Sequence, residues 1–208
     1  MQKLIKQINE IKKSEVSKII NNRLNGFSSF KDKHTNEWFS ELCFCILTAN
    51  SKAITAINIQ NDLGSEGFIN ASPSVIRNTI IRSKHRFHNN KTKFIVGARK
   101  HIAIKHKLSG LDGAEKREWL VSNIKGLGYK EASHYLRNTG HFNLAILDRH
   151  VLNLMVENKL LQEKPKFLNR ARYLEIEQKL AKVANKLDMS QAELDMYLWY
   201  IKTGKVLK

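Results

Sequence analysis

Only two of the 208 residues are cysteines, Cys43 and Cys45, and both sit in one apolar run, Leu-Cys-Phe-Cys-Ile-Leu. Two thiols cannot supply the four ligands of an iron–sulfur cluster held by a single chain. Residues two apart on a helix point to different sides, so the pair is poorly placed for a disulfide or a shared metal and reads as two buried thiols. Proline is as scarce, with Pro73 and Pro165 alone, so little interrupts a helical pattern. No run reaches the apolar length of a membrane span. There is no low-complexity tract, no repeat of fixed period, and no convincing alternating strand. The opening Met-Gln-Lys-Leu-Ile-Lys-Gln-Ile lacks the apolar core of a signal peptide. Acidic residues are also in deficit, 19 against 36 Lys and Arg.

What remains is a basic, helical chain. Hydrophobic residues make up 42%, enough for a buried core, and the net charge is +17. The basic residues are spread along the chain rather than gathered in a tail. That pattern predicts a basic face on a folded body, with nucleic acid as partner. A membrane-surface protein would need a helix with a Trp/Phe/Leu face, and none is present. The expected protein is soluble, intracellular and cytoplasmic, nucleoid-associated through DNA, monomeric, and without cofactor or metal.

Periodicity predicts an all-α fold. An N-terminal helix with the stripe Leu4, Ile8, Ile11, Glu15, Ile19 and Ile20 should stop near Gly26. Residues 37–49 are apolar nearly all round, as a central helix is. A third helix spans 51–63. Ser72-Pro73 starts a fourth, with Ser as N-cap and Pro in the first turn, ending near Ser83. Residues 84–91 read as a basic linker with one aromatic, Phe87. In it His85 and His88 would lie near phosphate, and Arg82, Lys84, Arg86 and Lys91 are candidate backbone contacts. Further helices are expected at 92–107, 114–124, 129–138, 149–159, 170–187 and 190–203.

The run Lys125-Gly126-Leu127-Gly128-Tyr129-Lys130 breaks the pattern. Two glycines permit a sharp turn and close approach to another surface. The following helix starts with free amides, which bind phosphate without side chains. The plain alternative is a helix–turn–helix corner. Lys130 sits where acids are favoured; the helix dipole and Lys125 both oppose its charge, and nucleophilic attack needs a neutral amine. Eighteen residues on, Asp148 opens Asp-Arg-His-Val. It reads as an N-cap, and a fixed, ionised carboxylate can also stabilise positive charge on a sugar.

Residues 120–155 resemble the helix-hairpin-helix DNA glycosylases of the Gly/Pro-Asp superfamily, with Gly126, Gly128, Lys130 and Asp148 in the family's places. The proline that often precedes the aspartate is missing, and Ile146-Leu147 stands there instead. The tail from Asp195 through Trp199 to Lys208 is similar to that of the second-type 8-oxoguanine glycosylase/AP lyases, as is Leu47-Thr48-Ala49-Asn50-Ser51-Lys52-Ala53. The resemblance implies two helical lobes with a DNA-binding cleft between them. One lobe would be discontinuous, 1–33 plus 142–208. The other, 34–141, would carry the hairpin at about 118–138.

The resemblance also implies roles. Lys130 would be the nucleophile and Asp148 its electrostatic partner. Gly126, Gly128, Lys125 and Arg149 would hold the DNA backbone, and Asn50 would fill the gap left by an extruded nucleotide. Trp199 and Phe87 are candidate stacking faces. Asp195, one turn before Trp199, would bond the base or form a surface ion pair. The carboxylate of Lys208 would accept the N7–H that oxidised guanine has and guanine lacks. The implied substrate is double-stranded DNA containing oxidised guanine. The rivals are an endonuclease III-like pyrimidine-lesion glycosylase and a non-catalytic helix-hairpin-helix module.

Overall fold

A computed structural model describes residues 1–208. The expected all-α class holds: twelve α-helices and two short 3-10 turns, with no strand. In chain order the helices are α1 (Gln2–Lys12), α2 (Glu15–Ser28), α3 (Thr35–Thr48), α4 (Ala53–Asn70), α5 (Pro73–Arg82) and α6 (His88–Ala98). Then follow α7 (Ile104–Lys107), α8 (Gly113–Asn123), α9 (Tyr129–Asn138), α10 (Arg149–Glu157), α11 (Arg170–Lys186) and α12 (Gln191–Thr203). They form two compact units, Met1–Phe30 with Gly140–Lys208, and Lys31–Thr139.

Three boundaries differ from the periodic reading. The N-terminal stripe is two helices, because Ser14 leaves helical geometry and its hydroxyl accepts the Val16 N–H, capping α2. The third helix runs on to Asn70 but kinks at Gly64, where φ is +61°. The helix expected at 92–107 begins at His88 and ends at Ala98. Just past that end, Arg99 donates to the Phe68 and Ala71 carbonyls at the close of α4, at 2.9 and 2.5 Å.

In the unit Lys31–Thr139, α3 is central. Leu42 through Leu47 are fully buried, and α4, α6, α7 and α9 pack around them. A buried polar network seats α9. The Asn138 amide donates to Glu41 Oε1 at 2.6 Å, Arg137 donates to Asn138 Oδ1, and Gln60 donates to Glu41 Oε2. Charges this deep are tolerated only when paired and hydrogen-bonded. In the other unit, α12 packs against α1, α2, α10 and α11. Leu4, Ile8, Met155, Ile176 and Ala192 are fully buried there, and Lys202 reaches Glu157 of α10 at 2.6 Å. No helix is long and apolar enough to cross a membrane.

Candidate active site

The hairpin is built from its flanks. Asp112 and Glu115 close a capping box at the start of α8, each side chain accepting the other's backbone N–H at 2.8 Å. The helix ends as Ile124 turns extended, and the Leu127 N–H donates back to the Ile124 carbonyl. Gly126 has φ +95°, and a Cβ there would lie 2.4 Å from the Phe94 ring. Backbone conformation and packing both demand glycine at this position. Leu127 is buried and pins the turn. Tyr129 donates to Glu118 at 2.6 Å, Arg117 lies over the Tyr129 ring, and Arg117 also donates to Ser133. The two helices of the hairpin are therefore locked as one piece, with Gly128 and Lys125 exposed.

Lys130 stands in the first turn of α9, its side chain 27% exposed, with Nζ 2.9 Å from Glu131 Oε1. The other Glu131 oxygen accepts the Gly128 N–H at 3.2 Å. One carboxylate thus pairs with the amine and caps the turn.

The end of α3 sets up the surface that bears Asn50. A helix leaves its last four carbonyls without intrahelical donors. Here all four are met: Cys45 by the Thr48 hydroxyl, Ile46 by Lys91 Nζ at 2.5 Å, Leu47 by His85 Nε2 at 2.9 Å, and Thr48 by the Ser51 N–H. The chain then turns at Asn50, exposed with φ +60°. This corrects two readings of the basic linker. Lys91 is only 4% exposed and His85 3%, so neither is a phosphate contact. The His85 Nδ1 accepts the Phe87 N–H, leaving Nε2 to carry the proton toward Leu47. Burial lowers the pKa of His85, and it pushes Lys91 down to about 8, with Glu131 opposing and Lys130 adding to the shift. Phe87 stays 40% exposed beside the Arg86 guanidinium.

In the other unit, Asp148 caps α10. Its Oδ1 accepts the His150 and Val151 N–H groups, both at 2.8 Å. The missing proline is replaced by side chains of α11. Tyr173 accepts the Leu147 N–H and donates to the Ala145 carbonyl at 2.7 Å, and Glu177 accepts the Ala145 N–H at 2.7 Å. Those bonds fix residues 144–147, all buried, that deliver Asp148. Arg149 is exposed at the first helical position. His150 meets Trp199 of α12 edge-on, with centroids 5.2 Å apart, and the buried Trp199 indole N–H has no acceptor. Asp195 is 8% exposed and lines a small apolar cavity with Ile146 and Leu198. Beyond the left-handed cap at Gly204, Lys208 is partly buried.

The expected residues thus fall into two sets. Lys125, Gly126, Gly128, Lys130, Asn50 and Phe87 belong to the unit Lys31–Thr139; Asp148, Arg149, Asp195, Trp199 and Lys208 belong to the other. No group of three His, Cys, Asp or Glu side chains that could hold a metal occurs. Reasoning from sequence missed Glu131, Tyr173 and Glu177, and misread Lys91. Only Glu131 had a local signal, an acid three residues after the turn glycine.

An all-helical chain with a Gly-x-Gly turn at the head of a helix is of the helix-hairpin-helix class. A family model described as 8-oxoguanine DNA glycosylase matches residues 20–189, and the chain belongs to that family. It is 46% identical over 206 residues to the 8-oxoguanine DNA glycosylase/AP lyase of Methanocaldococcus jannaschii, covering 99% of each chain. Its fold is similar to the crystal structure of that archaeal enzyme in complex with a 15mer DNA containing 8-oxoguanine. There the TM-score is 0.96 at 46% identity, over 99% of both chains. The crystal structure of the Thermotoga maritima 8-oxoguanine DNA glycosylase gives 0.94 at 39% identity, over 100% of this chain and 99% of that one.

Proposed function

We propose that this protein excises 8-oxoguanine from double-stranded DNA and cuts the strand 3′ to the resulting abasic site. Kinship with the glycosylase/AP lyases supports the reaction class. The observation that carries the assignment is Lys130, partly exposed at the head of α9 beside a turn that only glycine can make.

The damaged base must leave the stack before its sugar can be reached. The neutral Lys130 amine attacks C1′, and the C1′–N9 bond breaks, its electron pair leaving with the base, which takes up a proton. Opening of the C1′–O4′ bond gives a Schiff base. Loss of a C2′ proton then expels the 3′ phosphate by β-elimination. Asp148 spends Oδ1 on two backbone amides, which keeps it oriented, and its charge stabilises the cationic sugar. Gly126, Gly128, Lys125 and Arg149 hold the DNA backbone, and Asn50 fills the vacated stack. Trp199, Phe87, Asp195 and Lys208 read the base. Such an enzyme works as a monomer inside the cell, in the cytoplasm at the nucleoid.

The test is borohydride trapping on matched duplexes carrying 8-oxoguanine, uracil, thymine glycol or an abasic site. Lys130→Gln should abolish trapping while DNA binding survives. Trapping that persists in the variant would overturn the assignment. Preference for thymine glycol over 8-oxoguanine would favour the pyrimidine-lesion reading.

A further inference from the structure

Resting on that assignment of Lys130, we infer that Glu131 is its positioning residue, one carboxylate joining the lysine amine to the turn amide. Consecutive residues on a helix do not face each other, so a Lys130–Glu131 pair is not a routine helical contact. It forms because Glu131 folds back over the start of α9 to cap Gly128. That fold-back puts Oε1 at the end of the helix where the Lys130 chain reaches, 2.9 Å from Nζ. The Glu131 side chain is 14% exposed, so water screens the pair only partly.

Two consequences follow from one group. The hairpin amide and the nucleophile share an anchor, so a shift of the turn moves the amine with it. The carboxylate also places a negative charge 2.9 Å from the amine, at the positive end of α9. The charged and titratable groups around it are otherwise engaged. On α8, Arg117 donates to Ser133 and Glu118 accepts from Tyr129. On α3, Glu41 accepts from Asn138. On α6, Lys91 donates to Ile46 and interacts electrostatically with both Glu131 and Lys130. On α9 itself, His134 stacks edge-on against Phe44. Lys125 in the turn is exposed. Glu131 is the carboxylate paired with the Lys130 amine.

Glutamine is itself a capping-box residue. Glu131→Gln therefore keeps an acceptor for Gly128 and removes only the charge, whereas Glu131→Ala removes both. The experiment measures the rate of borohydride trapping on an 8-oxoguanine duplex across pH, with DNA affinity and thermal unfolding measured alongside. Glu131→Gln should fold and bind DNA as the parent does, while the acid-side limb of its pH–rate profile moves to lower pH. Glu131→Ala should also lose plateau rate, by about tenfold. A Glu131→Gln profile that superimposes on the parent's would reduce Glu131 to a helix cap and overturn the inference, whether or not Glu131→Ala folds. Trapping that survives in Lys130→Gln would instead sink the underlying assignment, so the two failures are told apart.

Discussion

Lys91 offers a quantitative check on the interior of the unit Lys31–Thr139. Its amine is buried, donates to one carbonyl, and has no ion-pair partner. Burial pushes its pKa from 10.5 down to about 8. Below about pH 8 the amine is protonated in both the folded and the unfolded chain, and folding bears the full cost of burying the charge. Between about 8 and 10.5 the unfolded chain binds more protons than the folded one, so stability rises with pH across that window. At about 1.4 kcal/mol per pH unit, the full gain is about 3 kcal/mol, and about 2 kcal/mol of it is reached by about pH 9.5. Lys91→Met removes the term and also the bond to Ile46, an orphaned carbonyl that costs about 1–3 kcal/mol. The variant should therefore be near parity at about pH 7 and fall behind by about 2 kcal/mol at about pH 9.5. Urea unfolding followed by circular dichroism at both pH values reads this directly. Parallel pH dependence in the two proteins would refute the burial of this amine.

Two further substitutions test the hairpin and the cap. Gly126→Ala forces a side chain into a left-handed backbone and against Phe94. It should lower stability by about 2–3 kcal/mol in thermal unfolding and weaken binding to undamaged duplex; an unchanged melting temperature would contradict the packing described. Asp148→Asn keeps an oxygen for the His150 and Val151 amides but no charge. It should retain stability within about 0.5 kcal/mol yet lose strand cleavage, whereas Asp148→Ala should lose both, with about 1 kcal/mol of stability gone. Full cleavage by Asp148→Asn would leave the carboxylate a cap and nothing more.

What could be read from the sequence depended on how far each residue's partner lay along the chain. Gly126, Asp148 and Ser72 act on amides or turns within three residues of themselves, so their types and spacing announced them. The breaks at Ser14 and Ala98 were harder, because the apolar stripe runs straight through them and only capping, or a guanidinium bonded to distant carbonyls, marks the end. Lys91 and His85 were misread for the same reason. Each caps a carbonyl about forty residues back, at 45 and 38 positions, and no local pattern separates such a residue from a solvated one. The missing proline before Asp148 follows the same rule, its stiffness supplied by Tyr173 and Glu177 from 26 and 32 residues on.

The charge of +17 divides along the same line. A basic count predicts a nucleic-acid partner, but it does not say which cations face it. Lys91 and Arg117 are each less than 5% exposed, and both brace the elements that carry Asn50 and Lys130. Substituting them should change stability rather than the salt dependence of DNA binding, because a buried amine releases no counterions. Exposed Lys125 and Arg149 should do the reverse. Part of the positive charge that marks this chain as a DNA-binding protein is therefore spent inside it, holding the backbone on which the exposed part is displayed.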